Sequence, residues 1–165
     1  MTQPGHQACL LLGSNIQPEI NLPRAVSQLQ SQVEVLRASS VWETPSVGSG
    51  GPNFLNAALL IATSIEALAL KEQVLRPLEA RMGRVRTADK NAPRTIDLDI
   101  ILFDGRLLDP SLWLHAHRAV PVAELMPNYR SETGETLSQA ASRLAHSTDI
   151  RMRADVTIAS QISSL

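Results

Sequence analysis

The clearest pattern of hydrophobic and polar positions lies in residues 96–103. Every residue there is apolar except Asp97 and Asp99, and a turn signal, Asp104-Gly105, follows directly. β-Branched and leucine side chains in such a run predict a β-strand, whose side chains alternate between two faces. One face is predicted to carry Ile96, Leu98, Ile100 and Leu102, and the other Asp97, Asp99, Ile101 and Phe103. The two carboxylates then share one face, about 6–7 Å apart along the backbone.

The N-terminal half predicts five further elements. The apolar residues 8–12 form a buried strand that ends in the turn Gly13-Ser14-Asn15, and a helix follows with Asn21 as its cap. Residues 33–42 and 54–62 read as strands. A helix over residues 64–82 is expected to turn Leu68, Leu75, Leu78 and Met82 inward. Pro77 should kink or break it.

After the turn at Gly105, the pattern predicts a hairpin strand at residues 106–108 and a short helix at 120–125. Leu137, Ala141 and Leu144 indicate a last helix, residues 150–158 alternate as a terminal strand does, and residues 159–165 should fray. The order β-α-β-β-α-β predicts an α+β, ferredoxin-like fold. Its antiparallel-containing sheet carries helices on one face, with C-terminal additions.

Length and composition narrow the class of protein. A chain of 165 residues suits one domain, residues 1–165, with a core at about 8–145. With 44% hydrophobic residues and a net charge of −1, a globular protein is favoured over one held to nucleic acid by phosphate contacts. No apolar run reaches membrane-spanning length, and Met1 to His6 do not form a signal peptide. The single Cys9 excludes an internal disulfide and fits a reducing cytoplasm.

The paired carboxylates suggest chemistry. Two like charges among apolar neighbours are costly to bury, and a divalent cation removes that cost. Mg²⁺ is usually held by one or two carboxylates together with water and substrate phosphates. Arg94, three residues before Asp97, suits a bidentate grip on a phosphate. The pattern therefore predicts phosphoryl-type transfer, against the plain alternative of solvated charge on an edge strand.

Two loops and one amide are further candidates. Residues 43–53 are dense in Gly, Ser and Pro and form either a binding loop or a surface excursion. Residues 84–92 carry three basic side chains and lead into the Asp97 strand. These side chains either contact phosphate or are merely solvated. Asn56 lies in an apolar strand, so it is either a satisfied core amide or one that reads a ligand. The cluster His115-Ala116-His117-Arg118 offers too few ligands for zinc.

Taken in order, these residues resemble the 6-hydroxymethyl-7,8-dihydropterin pyrophosphokinase family of folate biosynthesis. The resemblance rests on five motifs: Leu11-Leu12-Gly13-Ser14-Asn15, Thr44-Pro45, Phe54-Leu55-Asn56-Ala57-Ala58, Gly83-Arg84-Val85-Arg86, and Pro93-Arg94-Thr95-Ile96-Asp97-Leu98-Asp99-Ile100. Members transfer the β,γ-diphosphate of ATP to the pterin hydroxymethyl group and release AMP. The resemblance thus implies an enzyme with ATP and a pterin as its small-molecule partners, and we expect a monomer.

The resemblance also implies roles for individual residues. Asp97 and Asp99 would hold two Mg²⁺ ions, and Arg84 and Arg94 would neutralise the transferring phosphoryl groups. The other ATP-binding residues would be Glu79, Arg86, His117 and Arg118. The pterin would be bound by Thr44, Pro45, Val47, Phe54 and Asn56, with Phe54 stacking on one ring face. The loops at residues 44–53 and 84–92 would close over the substrates.

The chain departs from the family pattern in two places. Thr87 and Asn91 stand where the family has a basic residue and an aromatic, and the segment after Phe103 is shortened. His117 or His115 would take the family's histidine role there, and Trp113 or Trp42 would supply the second stacking aromatic. This shortening leaves open a catalytically weakened paralogue that binds nucleotide or pterin. An RNA-binding ferredoxin-like module ranks lower, because aromatics are only 3% of the chain.

Overall fold

The computed structural model describes residues 5–46, 51–89 and 92–158. The strands are β1 His6–Ser14, β2 Glu34–Ala38, β3 Trp42–Thr44, β4 Phe54–Thr63, β5 Asp97–Phe103, β6 Arg106–Leu107 and β7 Arg151–Met152. The helices are α1 Pro18–Gln30, α2 Ala67–Leu70, α3 Arg76–Arg81, α4 Ala116–Leu125 and α5 Leu137–His146. A π-helical turn, Lys71–Leu75, joins α2 to α3, and a 3₁₀ turn, Pro110–Trp113, precedes α4.

All seven strands belong to one sheet in which every pairing is antiparallel. Its order is β6-β5-β1-β4-β3-β7, and β2 pairs with β4 as well. The predicted α+β, ferredoxin-like fold is confirmed. The predicted strand at residues 33–42 is instead two strands, β2 and β3. Between them the Ser39 N–H still donates to the Ala58 carbonyl at 2.9 Å, but the Ala58 N–H donates to the Ser39 hydroxyl at 2.8 Å, so a side chain takes part in the pairing here.

The sheet is covered on both faces. On one, Leu10 and Leu12 of β1 pack against α1 and the α2–α3 segment, through residues such as Leu22 and Leu75. On the other, Cys9 and Leu11 pack with residues of α4 and α5. The two helices of the βαββαβ core therefore share one face as predicted, and the C-terminal additions cover the opposite one. Burial of apolar surface on both sides is the main stabilising term.

A β-bulge alters the predicted faces of β5. Leu10 pairs with Ile100 but Cys9 pairs with Leu102, which leaves Ile101 as an extra residue. Beyond a bulge the alternation is shifted by one position. Leu102 consequently lies in the α4–α5 core and Phe103 in the α1 core, so their predicted faces were wrong, whereas Asp97 and Asp99 keep theirs.

The helix predicted over residues 64–82 begins later, at Ala67, and is interrupted by the π-helical turn immediately before Pro77. The wider turn accommodates a residue that cannot donate a backbone hydrogen bond. Its extra residue also rotates the preceding turn, so that Leu70 and Val74 are buried while Leu68 is 71% exposed. The inward placement predicted for Leu68 was wrong.

Other boundaries differ from prediction as well. Helix α1 begins at Pro18, and Asn21 is not its cap but a buried residue whose amide donates to the Ile16 carbonyl at 2.6 Å. Helix α4 begins four residues before the predicted Val120. The terminal strand is confined to Arg151–Met152, the two residues that pair with β3. None of the helices in the described ranges has the length and apolar character needed to cross a bilayer.

Candidate functional site

A cavity of about 120 Å³ opens where β1, β3, β4 and β5 meet the start of α4. It brings together nine of the residues predicted from the sequence: Thr44, Pro45, Phe54, Asn56, Arg94, Asp97, Asp99, His117 and Arg118. Strand register explains the convergence, since Gly13 of β1 pairs with Asn56 on one side and with Asp97 on the other. A Cβ at Gly13 would lie 3.3 Å from the Asn56 amide oxygen, so a glycine keeps this end of the cavity open.

The amide of Asn56 has a hydrogen-bond partner in the protein and also lines the cavity. Its Nδ2 donates to the Thr44 hydroxyl at 3.0 Å, and both side chains are buried. Because Thr44 pairs directly with Phe54 across the β3–β4 hairpin, the hydroxyl, the amide and the phenyl ring are held as one unit. These are the groups that the resemblance assigned to the pterin.

The two carboxylates have different partners. Asp97 accepts a hydrogen bond from Arg84 on one oxygen and a 2.8 Å bond from Arg94 on the other. Asp99 lies 3.5 Å from Arg118, which also approaches Asp109 at 3.0 Å. Burial, and then the neighbouring Asp97, raise the pKa of Asp99, while Arg118 opposes the shift. A cation at this position would remove the repulsion that raises the Asp99 pKa.

Glu79 lies beneath this site and does not line the cavity. Its buried carboxylate accepts hydrogen bonds from Arg76 at 3.0 Å, Arg84 at 3.4 Å and Arg86 at 2.8 Å. It also accepts the Leu98 N–H at 2.8 Å. Burial raises the pKa of Glu79 to about 7, although the Leu98 N–H and Arg84 lower it. Glu79 thus ties the arginines to β5.

A second cavity, of about 410 Å³, adjoins the first and shares Asp99 with it. Its apolar wall includes Leu68, Ile100 and Leu108, and its polar groups include Arg76 and Asp109. Sequence reasoning missed this cavity. Leu68 belongs to its wall rather than to the core, which accounts for the exposure of that leucine.

Two buried guanidinium nitrogens have no hydrogen-bond acceptor among the described residues. They are Arg84 Nε and Arg118 Nε, and both arginines contact the carboxylate pair through another nitrogen. Buried donors normally find acceptors. The acidic groups beside these two nitrogens are already paired with other guanidinium nitrogens. An incoming anion such as a phosphate is therefore the acceptor that fits.

The carboxylate pair also fits Mg²⁺, provided that water and substrate phosphates supply the remaining ligands. In the described ranges, no three or more His, Cys, Asp and Glu side chains are arranged to hold a metal ion. Mg²⁺ commonly takes only one or two protein carboxylates and completes its shell with water and substrate phosphates. Asp97 and Asp99 therefore suit a metal that arrives with a polyphosphate.

The remaining predicted residues lie elsewhere. Val47 and Asn91 fall outside the described residues. Arg86 is bound to Glu79 and half exposed. Neither candidate for a second stacking aromatic lines the first cavity: Trp42 donates to Glu124 at 2.7 Å, and Trp113 stacks on Tyr129 with centroids 6.1 Å apart.

The ring that does line the first cavity with Phe54 is His117, and His115 stacks behind it at 5.4 Å. Burial, followed by the charges of Arg118 and His115, lowers the pKa of His117 to about 4. The imidazole is therefore neutral near pH 7, as suits a stacking surface.

Asn15 is a structural link that sequence reasoning treated as part of a plain turn. The side chain is buried, its Oδ1 accepts the Arg94 N–H at 2.7 Å, and its own N–H donates to the Arg94 carbonyl at 3.1 Å. Its Nδ2 donates to the Pro52 carbonyl at 3.4 Å. The sequence signal was an asparagine directly after a predicted buried strand, since a buried amide needs partners, but it did not identify those partners.

Comparison with known proteins decides the family. The model of the 7,8-dihydro-6-hydroxymethylpterin-pyrophosphokinase (HPPK) family matches residues 9–127, a range that contains every residue of both cavities. The chain belongs to this family. Members transfer diphosphate from ATP to hydroxymethyldihydropterin in folate synthesis, so the predicted activity is confirmed at the level of the family.

Relatives named 2-amino-4-hydroxy-6-hydroxymethyldihydropteridine pyrophosphokinase agree over most of the chain. The protein from Methylorubrum extorquens is 33% identical over 84% of this chain and 93% of its own length. The one from Bacillus subtilis is 34% identical over 76% and 81%. The HPPK-DHPS of Plasmodium falciparum superposes with a TM-score of 0.70 at 11% identity, over 88% of this chain and 46% of that chain. This chain spans less than half of that structure, and the likeness concerns the fold alone.

Proposed function

We propose that the two cavities that meet at Asp99 are the two substrate sites of an active, Mg²⁺-dependent pyrophosphokinase. The observation that carries this proposal is that Asp99 lines both cavities, so one carboxylate faces both the donor and the acceptor. A direct transfer between two bound substrates requires this proximity.

The first cavity suits the pterin. The rings of Phe54 and His117 offer flat faces, and Asn56 with Thr44 offers an amide and a hydroxyl for the edge of a heterocycle. Pro45 completes the wall. Contact between the pterin and the backbone at Val47 stays a prediction.

The second cavity suits the nucleoside, with its phosphates directed toward Asp99. The apolar wall of Leu68, Ile100 and Leu108 provides a surface for the base. Arg84, Arg94 and Arg118 lie beside the carboxylates and offer guanidinium donors to phosphate oxygens, and Arg86 supports the nucleotide from the surface. Glu79 acts through Arg84 and Arg86, as a positioning residue.

Asp97 and Asp99 would hold Mg²⁺, and we propose two ions. When bound, the metal supplies charge stabilisation at the phosphoryl oxygens. The protein's own part is to orient the substrates, to hold the carboxylates on a rigid strand, and to release Arg84 and Arg94 from Asp97 toward the phosphates.

The alternatives receive less support. A weakened paralogue would be expected to lack part of the constellation, yet both carboxylates and three arginines converge here. We further propose that the chain acts as a single-domain monomer in the cytoplasm and binds no nucleic acid.

The test is AMP release by the purified chain with ATP, Mg²⁺ and hydroxymethyldihydropterin. Asp97→Asn and Asp99→Asn should each lower turnover by about 10²-fold or more, because several kcal/mol of charge stabilisation depend on the metal. Asp149→Asn, the same change at an exposed site, serves as the control. Loss of less than twofold in both site variants would remove the assignment, and nucleotide binding without turnover in the wild type would favour the paralogue.

A further inference from the structure

The C-terminal segment reaches the pterin-binding hairpin from outside the part of the chain that matches the family. Residues 151–158 follow the matched range, 9–127, yet β7 pairs with β3 through Trp42 and Glu43. The Arg153 N–H donates to the Val41 carbonyl at 2.8 Å, and its Nη1 donates to Glu43 Oε1 at 3.0 Å. This segment is thereby attached to the strand that ends in Thr44.

Glu43 links the C-terminal segment to the other strand of the hairpin. Its second oxygen, Oε2, accepts a 2.8 Å bond from the Asn53 amide. Glu43 precedes Thr44 and Asn53 precedes Phe54, and Thr44 and Phe54 pair directly across the strands. The Glu43 carboxylate therefore spans the hairpin at the pair of residues that line the first cavity.

Arg153 is itself held from several directions. Its Nε and Nη2 donate to the two oxygens of Asp155 at 2.8 Å, and Nη2 lies 3.4 Å from Glu19 in the first turn of α1. A guanidinium fixed by a bidentate partner presents its remaining nitrogen in a defined direction. Hydrogen bonds from Asn53 and then Arg153 lower the pKa of Glu43, so the carboxylate is charged near neutral pH.

We propose that Arg153 is a positioning residue for pterin binding, acting through Glu43 and Asn53 on the spacing of Thr44 and Phe54. The proposal rests on the proposed function, since it takes the first cavity as the pterin site. Without Arg153, Glu43 keeps Asn53, a 3.5 Å ion pair with the exposed Arg151 and the β3–β7 pairing. It loses the hydrogen bond from the fixed guanidinium, and with it the connection to Glu19 of α1. The hairpin end is then less ordered, and pterin binding has to restore that order.

A purely stabilising ion pair is the competing explanation, and the chain contains a matched control for it. Arg143 in α5 makes a bidentate pair with Glu135 at 2.9 and 3.0 Å, also in the C-terminal region but on another part of the molecule. Arg153→Met and Arg143→Met remove the same charge and keep similar volume. Only the first should affect the pterin.

The measurements are made on the full chain with Mg²⁺ and a non-hydrolysable ATP analogue, with pterin binding followed by fluorescence and analogue binding by calorimetry. We expect Arg153→Met to raise the pterin Kd about fivefold and to change the analogue Kd by less than about twofold. Arg153→Lys, which keeps one donor for Glu43, should recover most of the pterin affinity. Equal pterin affinities for the two Met variants, whatever their Tm values, would overturn the proposal.

A second variant covers the case in which Arg153→Met does not fold. Asn53→Ala leaves the C-terminal segment intact and removes the other bond of Glu43, so it should show the same selective loss of pterin affinity. Where both fold, their effects should be less than additive because they share Glu43. Unchanged affinity in Asn53→Ala would contradict the proposal. A wild-type chain that binds the analogue but no pterin would instead contradict the proposed function.

Discussion

The environment of His117 determines its chemical form. Because burial, Arg118 and His115 hold its pKa at about 4, the imidazole stays neutral beside the carboxylate pair and adds no charge to a cavity already lined by Arg94 and Arg118. A neutral ring near Phe54 offers a polarizable face. We therefore expect His117 to act through ring area rather than through protonation.

Substitution of His117 tests this role. His117→Phe keeps an aromatic ring and should leave the pterin Kd within about threefold, whereas His117→Ala should lose about 1–3 kcal/mol, by analogy with base–aromatic stacking. Fluorescence titration of the pterin measures both. If the Phe variant loses as much affinity as the Ala variant, the ring nitrogens matter and the stacking role is wrong.

Asn15 acts on the site through backbone groups. Asn15→Ala removes the acceptor for the Arg94 N–H, and an unsatisfied buried donor costs about 1–3 kcal/mol. We expect a lower Tm and a lower kcat, because Arg94 loses its support. Asn21→Ala, at a buried asparagine of α1 with its own 2.6 Å bond, should lower Tm alone. An equal effect of both variants on kcat would contradict the positioning role of Asn15.

At the scale of elements, the central strand β1 organises the molecule. One end places Gly13 between Asn56 and Asp97, and the other end joins the β5–β6 turn through His6. The His6 ring contacts Asp104 at 2.6 Å and Glu66 at 3.1 Å. Hydrogen bonding to Asp104 raises the pKa of His6, and hydrogen bonding to His6 lowers the pKa of Asp104.

These shifts predict a pH-dependent contribution to stability. The raised His6 pKa stabilises the fold fully below 6.5, and this contribution is lost as pH rises through the folded-state value. The lowered Asp104 pKa stabilises the fold above 3.8, and this contribution is lost as pH falls through the folded-state value. The pair therefore contributes most between these two pH values.

Thermal unfolding of His6→Gln checks this. The variant should lose more Tm relative to wild type at pH 6 than at pH 9. Asp104→Asn should reproduce the loss at pH 6, since asparagine tolerates the φ of 50° at this turn. A Tm difference that does not change with pH in either variant would contradict the assignment.

At the scale of the whole molecule, three separate segments each place an arginine beside the same carboxylate pair. Arg84 follows α3, Arg94 precedes β5 and Arg118 lies in α4. In this arrangement Asp97 is already neutralised by two guanidinium groups. Mg²⁺ alone has to compete with both guanidinium groups for the Asp97 oxygens, whereas Mg²⁺ with a polyphosphate brings new acceptors for these groups.

Metal and nucleotide should therefore stabilise the protein together. We expect millimolar Mg²⁺ alone to raise Tm by less than about 1 °C, and Mg²⁺ with an ATP analogue at 100 Kd to raise it by about 5 °C or more. Asp97→Asn should abolish most of the combined shift. A comparable shift with Mg²⁺ alone would show that the guanidinium groups do not compete with the metal.

Local patterns predicted much of the fold and of the site. Alternation along residues 96–100 placed Asp97 and Asp99 on one face, because the direction of a side chain in a strand depends only on its own backbone. The Asp104-Gly105 turn and the strand at Arg106–Leu107 were correct for the same reason. Family motifs then identified most residues of the first cavity.

The failures share a different cause. Leu68 was misplaced because a π-helical turn changed the phase of its helix, and Leu102 and Phe103 because a bulge changed the register of β5. The positions of His117 and Asn15 depend on contacts with distant parts of the chain. No pattern within one segment reports these contacts.

The sequence by itself determined the family, the order of the core elements and the face on which the carboxylates lie, since these follow from motifs and from the local geometry of each segment. Only the tertiary structure decided which ring joins Phe54, how Asp97 is neutralised, and where the C-terminal segment attaches. Those features arise from pairing between residues far apart in the chain, where register and packing select among arrangements that the local pattern leaves equivalent.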